Sequence, residues 1–209
     1  ALAEGRAEVA VDFTVAGAAL QSARWCAAAG VHLVIGTTGL GEDDLGELRE
    51  LFGQGRANCV VAPNFAIGAA LLVRLAELAA PHVDSIEIVE LHHDAKADAP
   101  SGTALHSARR LARAREESGS GALAADGTRS ESLAGARGGE GPGGIRVHSV
   151  RLRGLVAHQE VLMGAAGQSL TIRHDCYDRT AFMPGVLAAV RSVARRPGLT
   201  VGLEALLGW

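Results

Sequence analysis

Short apolar blocks alternate with longer amphipathic stretches over the first third of the chain. Val9–Thr14 (V-A-V-D-F-T) has the apolar, β-branched character of a buried strand. The alanine-rich stretch Val15–Ala29 predicts a helix, stopped by Gly30, the residue type that ends helices in a left-handed turn. His32–Ile35 predicts a second strand, running into G-T-T-G. Glu42–Phe52 predicts a helix whose acidic first turn complements the macrodipole. Cys59–Ala62 predicts a third strand ending in A-P-N-F, and Ile67–Ala80 a long apolar helix. Strand–helix units repeated at this length imply a parallel sheet covered by helices, an α/β fold. Such sheets bind ligands outside the carboxyl ends of their strands. That singles out Gly36, Thr37 and Thr38, and Ala62, Pro63, Asn64 and Phe65.

The pattern then changes. Ser85–His92 (S-I-E-I-V-E-L-H) predicts a strand that runs into the polar loop H-D-A-K-A-D-A-P-S-G-T. A helix from about Thr103 to Glu117 follows. Residues 116–144 are rich in Gly, Ser and Ala and too long for an ordinary connection, which implies a mobile lid or a tether. Ile145–Leu152, Leu155–Met163 and Ser169–His174 predict three strands. Their short links imply hairpins and a sheet at least partly antiparallel. A helix over Thr180–Arg195, closed by Pro197 and Gly198, ends the pattern.

Composition narrows the function. The 209 residues are 48% hydrophobic and 21% charged, enough to bury a core, and the net charge of −3 supplies no basic field for nucleic acid. Aromatic content of 3% argues against base-stacking platforms. No apolar run reaches membrane-spanning length, and the first residues show no secretory pattern, so neither a membrane nor an exported form is expected. Cys26, Cys59 and Cys176 form no C-x-x-C pair, which implies buried thiols in a reducing compartment and no metal site. Lys96 is the sole lysine among twenty basic residues. Arginine stays protonated in ordinary sites whereas lysine can exchange a proton, so a lone lysine suggests proton chemistry.

The neighbours of Lys96 strengthen that reading. His92, His93, Asp94, Lys96 and Asp98 lie together on a loop leaving a strand end. Histidine exchanges protons near neutrality, and lysine does so when partly desolvated. After Pro100, the residues Ser101, Gly102 and Thr103 open a helix, where free N–H groups form an anion cradle. Cations facing such a cradle suit a small carboxylate or phosphate. No nucleophile elbow or P-loop occurs, and the one G-x-G-x-x-A match, Gly119–Ala124, lacks a preceding strand.

E-I-V-E-L-H-H-D-A-K-A-D-A-P-S-G-T-A resembles the signature of the dihydrodipicolinate reductase (4-hydroxy-tetrahydrodipicolinate reductase) family. V-D-F-T, V-I-G-T-T-G, A-P-N-F-A-I-G, G-L-V-A-H-Q-E-V, L-T-I-R-H-D and D-R-T-A-F-M-P-G-V follow in that family's order, over nearly the whole chain. The resemblance implies His92 as acid/base, Lys96 as proton donor and His93 as a substrate contact. It implies a carboxylate held by Gly102 and Thr103, with Ser101 beside them. Cofactor contacts would fall on Gly36–Thr38 and Ala62–Phe65, with Arg179 and Phe182 adding weaker ones. It further implies NADPH or NADH, a dicarboxylate substrate, a cytoplasmic location and a homotetramer built through the second-domain sheet. The fold implied is a Rossmann-like dinucleotide-binding domain, residues 1–65 plus 179–209. An α+β domain on a mixed sheet, residues 66–178, is inserted in it for substrate binding and oligomerisation.

Two departures stand out. Asp94 sits where relatives often carry a basic or polar residue. The chain also opens just before the D-F-T strand, without the family's glycine-rich first turn, so the expected cofactor domain is N-terminally incomplete. The chain as written is then expected to hold NAD(P)H weakly, since the pyrophosphate rests on that turn. Two rival readings compete with the reductase: a non-catalytic dicarboxylate-binding oligomer, and a Schiff-base enzyme using Lys96 on a keto acid.

Overall fold

A computed structural model of the chain describes residues 6–53 and 55–208; the domain bounds expected at residues 1 and 209 lie outside them. The elements begin with β1 (Val9–Asp12), α1 (Ala16–Ala29), β2 (His32–Ile35), α2 (Glu42–Phe52), β3 (Cys59–Val61) and α3 (Ile67–Ala79). They continue with β4 (Ser85–His92), α4 (Gly102–Ser118), β5 (Gly139–Glu140), β6 (Arg146–Arg151), β7 (Ala157–Ala165) and β8 (Gln168–Cys176). The chain closes with α5 (Met183–Ser192), β9 (Leu199–Val201) and α6 (Glu204–Leu207). It divides into two compact units, Ala1–Ile67 with Thr180–Trp209, and Gly68–Arg179.

The first unit is a parallel sheet in the order β1-β2-β3-β9. Its core joins Ala19, Ala23 and Cys26 of α1 and Leu48 and Phe52 of α2 to Leu33, Ile35 and Cys59 of the sheet. Helix α1 stops at Gly30, whose φ of 72° a side chain would strain. β1 ends at Asp12, short of the expected Thr14. The amide and hydroxyl of Thr14 both donate to Asp12 Oδ1, and this local turn takes the chain out of the sheet. β9 and α6 were not expected. Asn58 explains β9: its Nδ2 donates to the carbonyls of Val193 and Ala194, its Oδ1 accepts from the Gly198 amide, and Gly198 O accepts from Cys59.

The second unit is a mixed sheet, β5-β6-β4-β7-β8. Ile86, Ile88, Val147, Val161 and Met163 on one face pack with Leu72, Ala104 and Leu111 of α3 and α4. The β7–β8 hairpin is present, but the expected β6–β7 hairpin is not. β4 lies between those strands, parallel to β6 and antiparallel to β7. The Gly/Ser/Ala tract is fastened as a strap rather than hanging as a lid or tether. Arg115, buried at the end of α4, donates to the carbonyls of Ala80, Val83 and Gly121. Ala124 N–H donates to Asp84 O, and Arg137 pairs with Glu87 and Asp126.

Candidate active site

Strand β4 carries the chemistry because its alternation breaks a rule. Ile86, Ile88 and Glu90 share the buried phase, and Glu90 is 0% exposed. A buried carboxylate must be fully hydrogen-bonded. Glu90 Oε2 accepts from His92 Nδ1 at 2.5 Å and Arg151 Nη1 at 2.9 Å. Its Oε1 accepts from Arg151 Nη2 at 2.8 Å and the Ser101 amide at 3.2 Å. Burial pushes this carboxyl upward, but the hydrogen bonds from His92, Arg151 and Ser149 outweigh it and hold it at about 2.

The loop after β4 hangs from the same arginine. Arg151 Nη2 also donates to Asp98 O at 2.6 Å, while the Asp98 carboxylate holds Lys96 Nζ at 2.6 Å. The Lys96 ammonium, with burial opposing it, draws the Asp98 carboxyl below its ordinary range. Asp94 is answered by Arg153 at 2.9 Å, so its charge is locally matched. His93 is exposed at the loop's start.

Ser101 caps α4. Its Oγ accepts from Ala104 N–H and its carbonyl from Leu105 N–H. The Ser101 hydroxyl therefore serves the cap first. Helical geometry leaves the Gly102 and Thr103 amides without an intrahelical acceptor. A Cβ at Gly102 would meet only open space, so the first turn of α4 is uncovered at that position. The structure thus joins His92 and Ser101 through one carboxylate, and brings the Lys96 loop to it through Arg151.

The sites expected in the first unit cluster at the carboxyl ends of β2 and β3. Asp12 anchors the end of β2, accepting from Thr14, from Ser22 at 2.8 Å and from Thr37 Oγ1 at 3.2 Å. Burial raises its carboxyl, and these bonds bring it below the usual value. Gly36 N–H donates to Asp12 O, and the Phe13 ring occupies the space a Gly36 side chain would need. Thr37, Ala62 and Phe65 are buried, whereas Gly36, Thr38, Pro63 and Asn64 reach the surface. These four are small or uncharged, a lining that fits an uncharged nicotinamide ring. Arg179, exposed, and Phe182, half-buried, lie in the short turn before α5.

The family model "Dihydrodipicolinate reductase, N-terminus" matches residues 1–65, and "Dihydrodipicolinate reductase, C-terminus" matches residues 68–207. The chain belongs to the dihydrodipicolinate reductase family. It is 53% identical to the 4-hydroxy-tetrahydrodipicolinate reductase of Cutibacterium acnes, over 97% of this chain and 81% of that protein. It is 50% identical to that of Corynebacterium aurimucosum, over 99% and 83%. A dipicolinate-bound dihydrodipicolinate reductase from Paenisporosarcina sp. TG-14 superposes with a TM-score of 0.84 at 40% identity, covering 98% of this chain and 75% of that one. An amine dehydrogenase from Mycobacterium smegmatis, 13% identical with a TM-score of 0.55, shares the fold alone.

Dihydrodipicolinate reductases are NAD(P)H-dependent oxidoreductases. In this family member, reasoning from sequence overlooked Glu90, Arg151 and Asp12. The signal for Glu90 was present, as an acid in the buried phase of an alternating strand. Nothing in R-L-R marked Arg151 over Arg153.

Proposed function

We propose that this chain reduces 4-hydroxy-tetrahydrodipicolinate to tetrahydrodipicolinate with NADH or NADPH, the 4-hydroxyl leaving as water, in lysine and diaminopimelate biosynthesis. One observation carries the reading. The Glu90 carboxylate gathers His92, the start of α4 and, through Arg151, the Lys96 loop, in a chain half identical to curated reductases of that name.

In this reading the Gly102 and Thr103 amides hold a substrate carboxylate, with Ser101 keeping them in place and His93 adding a contact. Lys96 Nζ donates a proton as the substrate is reduced, and His92 acts as acid/base through Nε2. Gly36, Thr38, Pro63 and Asn64 hold the nicotinamide, with Thr37, Ala62 and Phe65 behind them and Arg179 and Phe182 adding contacts. The nicotinamide supplies a hydride when bound. The unit with the parallel sheet is then the dinucleotide-binding domain, and the unit with the mixed sheet the substrate-binding and oligomerisation domain.

Val89, Leu91, Val150 and Leu162 lie on the sheet face turned away from the α3–α4 core and stay partly exposed. That face supports assembly of a homotetramer. No helix among the described residues is long and apolar enough to cross a membrane, and the three cysteines are free and buried. A reducing cytoplasm is the location we propose. A Schiff-base lysine acts as a free amine, whereas Lys96 sits in an ion pair with Asp98.

The test follows NAD(P)H absorbance in the presence of 4-hydroxy-tetrahydrodipicolinate generated in situ. Substrate-dependent NAD(P)H oxidation is expected. Dipicolinate binding without any oxidation would leave the non-catalytic reading, and a borohydride-trapped adduct the Schiff-base one.

A further inference from the structure

We propose that the buried Glu90–Arg151 pair is the positioning element of this site, setting the tautomer of His92 and holding the Lys96 loop and the start of α4 in register. The proposal rests on the reductase reading and deepens it with two residues that touch no substrate.

An ionised carboxylate only accepts hydrogen bonds. At 2.5 Å from Glu90 Oε2, His92 Nδ1 must therefore carry the hydrogen. In the neutral ring this leaves Nε2, on the far side from Glu90, with a free lone pair. His92 is thereby presented as a proton acceptor at Nε2 and, once protonated, as a donor from the same atom.

Arg151 extends the control to the loop. Nη1 donates to Glu90 Oε2 and to the Val150 carbonyl, while Nη2 donates to Glu90 Oε1 and to the Asp98 carbonyl. Asp98 in turn holds Lys96. The planar fork bonds both carboxylate oxygens and the loop at once, which lysine cannot do. The Ser101 amide on Oε1 ties in the anion cradle. Glu90 is 0% exposed, and the Arg151 side chain is 19% exposed. Solvent does not compete strongly for these bonds.

The test is Glu90→Gln. A glutamine has one acceptor end, and both Oε positions face donors. Placing the amide nitrogen toward His92 is the better choice, because an imidazole Nδ1 can turn acceptor while the Ser101 amide cannot. The variant therefore drives His92 to carry its hydrogen on Nε2. Nitrogen-15 NMR of the ring reads this directly, with the His92 signals assigned by their loss in His92→Asn. The expected result is an Nδ1–H ring in the wild-type chain and an Nε2–H ring in Glu90→Gln. It comes with a fall in kcat on the order of a hundredfold, the scale of general acid–base catalysis, and a much smaller change in KM.

Arg151→Lys is the second variant and applies whether or not Glu90→Gln folds. It is expected to keep the Nδ1–H ring yet lose roughly tenfold or more in kcat, about 1.4 kcal/mol of barrier, because the loop loses its anchor. An unchanged tautomer in folded Glu90→Gln, or Arg151→Lys with wild-type kcat, overturns the proposal. If His92 flips as expected in Glu90→Gln but the wild-type chain never oxidises NAD(P)H, the reductase reading is overturned instead.

Discussion

Replacing Arg151 by methionine should destabilise the chain strongly near neutral pH and much less in acid. Glu90 is fully buried, and both of its carboxylate oxygens accept from Arg151. The methionine fills much of the same volume but leaves a buried carboxylate without its guanidinium partner. Breaking such a pair costs about 3–5 kcal/mol, and the surviving His92 and Ser101 bonds put the expected loss toward the lower end. The protonation balance supplies a second figure. Glu90 sits at about 2 against an ordinary 4.5. At about 1.4 kcal/mol per pH unit, that difference stabilises the fold by about 3 kcal/mol. Because the folded value is depressed, this contribution is complete above the unfolded value. It is lost as pH falls from 4.5 toward 2. In Arg151→Met the carboxyl takes up its proton at higher pH and ceases to be a buried charge. The penalty should therefore shrink as the medium is acidified toward the ordinary carboxyl range. Urea unfolding followed by circular dichroism, at neutral pH and at mildly acidic pH, measures both effects. Adding Glu90→Gln to Arg151→Met should recover much of the loss, since an apolar–neutral pair needs no charge compensation. A neutral-pH loss under about 1 kcal/mol, the scale of an exposed pair, would refute the reasoning. So would a loss that does not shrink on acidification.

Lys96→Arg should reduce kcat by more than roughly tenfold, about 1.4 kcal/mol in barrier, while dipicolinate still binds by calorimetry, because arginine keeps the charge but does not release a proton. Ser101→Ala removes the acceptor of the Ala104 amide; thermal melts should register a loss of about 1 kcal/mol, and calorimetry a weaker hold on dipicolinate. Gly185→Ala drives a Cβ into the Phe65 carbonyl, a backbone atom that cannot rotate away. A destabilisation of about 2 kcal/mol or more is expected, and an unchanged melting temperature would show that the backbone yields there.

The parts of this molecule that could be read in advance are those whose physics is local. Strand and helix periods, the Gly30 stop and the polar loop around Lys96 all act within a few residues, and the order β1 to α4 follows from them. What escaped depends on partners far along the chain. β9 is three residues long, and one of its anchors spans 140 positions, from Gly198 back to Asn58. The β6–β7 link looks like a hairpin because its length permits one. Burial of β4 between the two strands decides otherwise. Arg151 and Arg153 make the point most sharply. They have the same side chain two positions apart, yet Arg151 locks Glu90, 61 positions away, while the Arg153 side chain is 92% exposed beside Asp94. What distinguishes them is the register of β6 against β4, with Glu90 opposite Ser149 and His92 opposite Arg151, and the end of β6 at Arg151, which leaves Arg153 outside the sheet. A one-residue slip of that register would turn Arg151 to the other face and leave the Glu90 charge buried without its guanidinium partner. The same pairing that completes the sheet therefore also assembles the site, and a wrongly paired sheet is penalised by an unmatched charge as well as by lost packing.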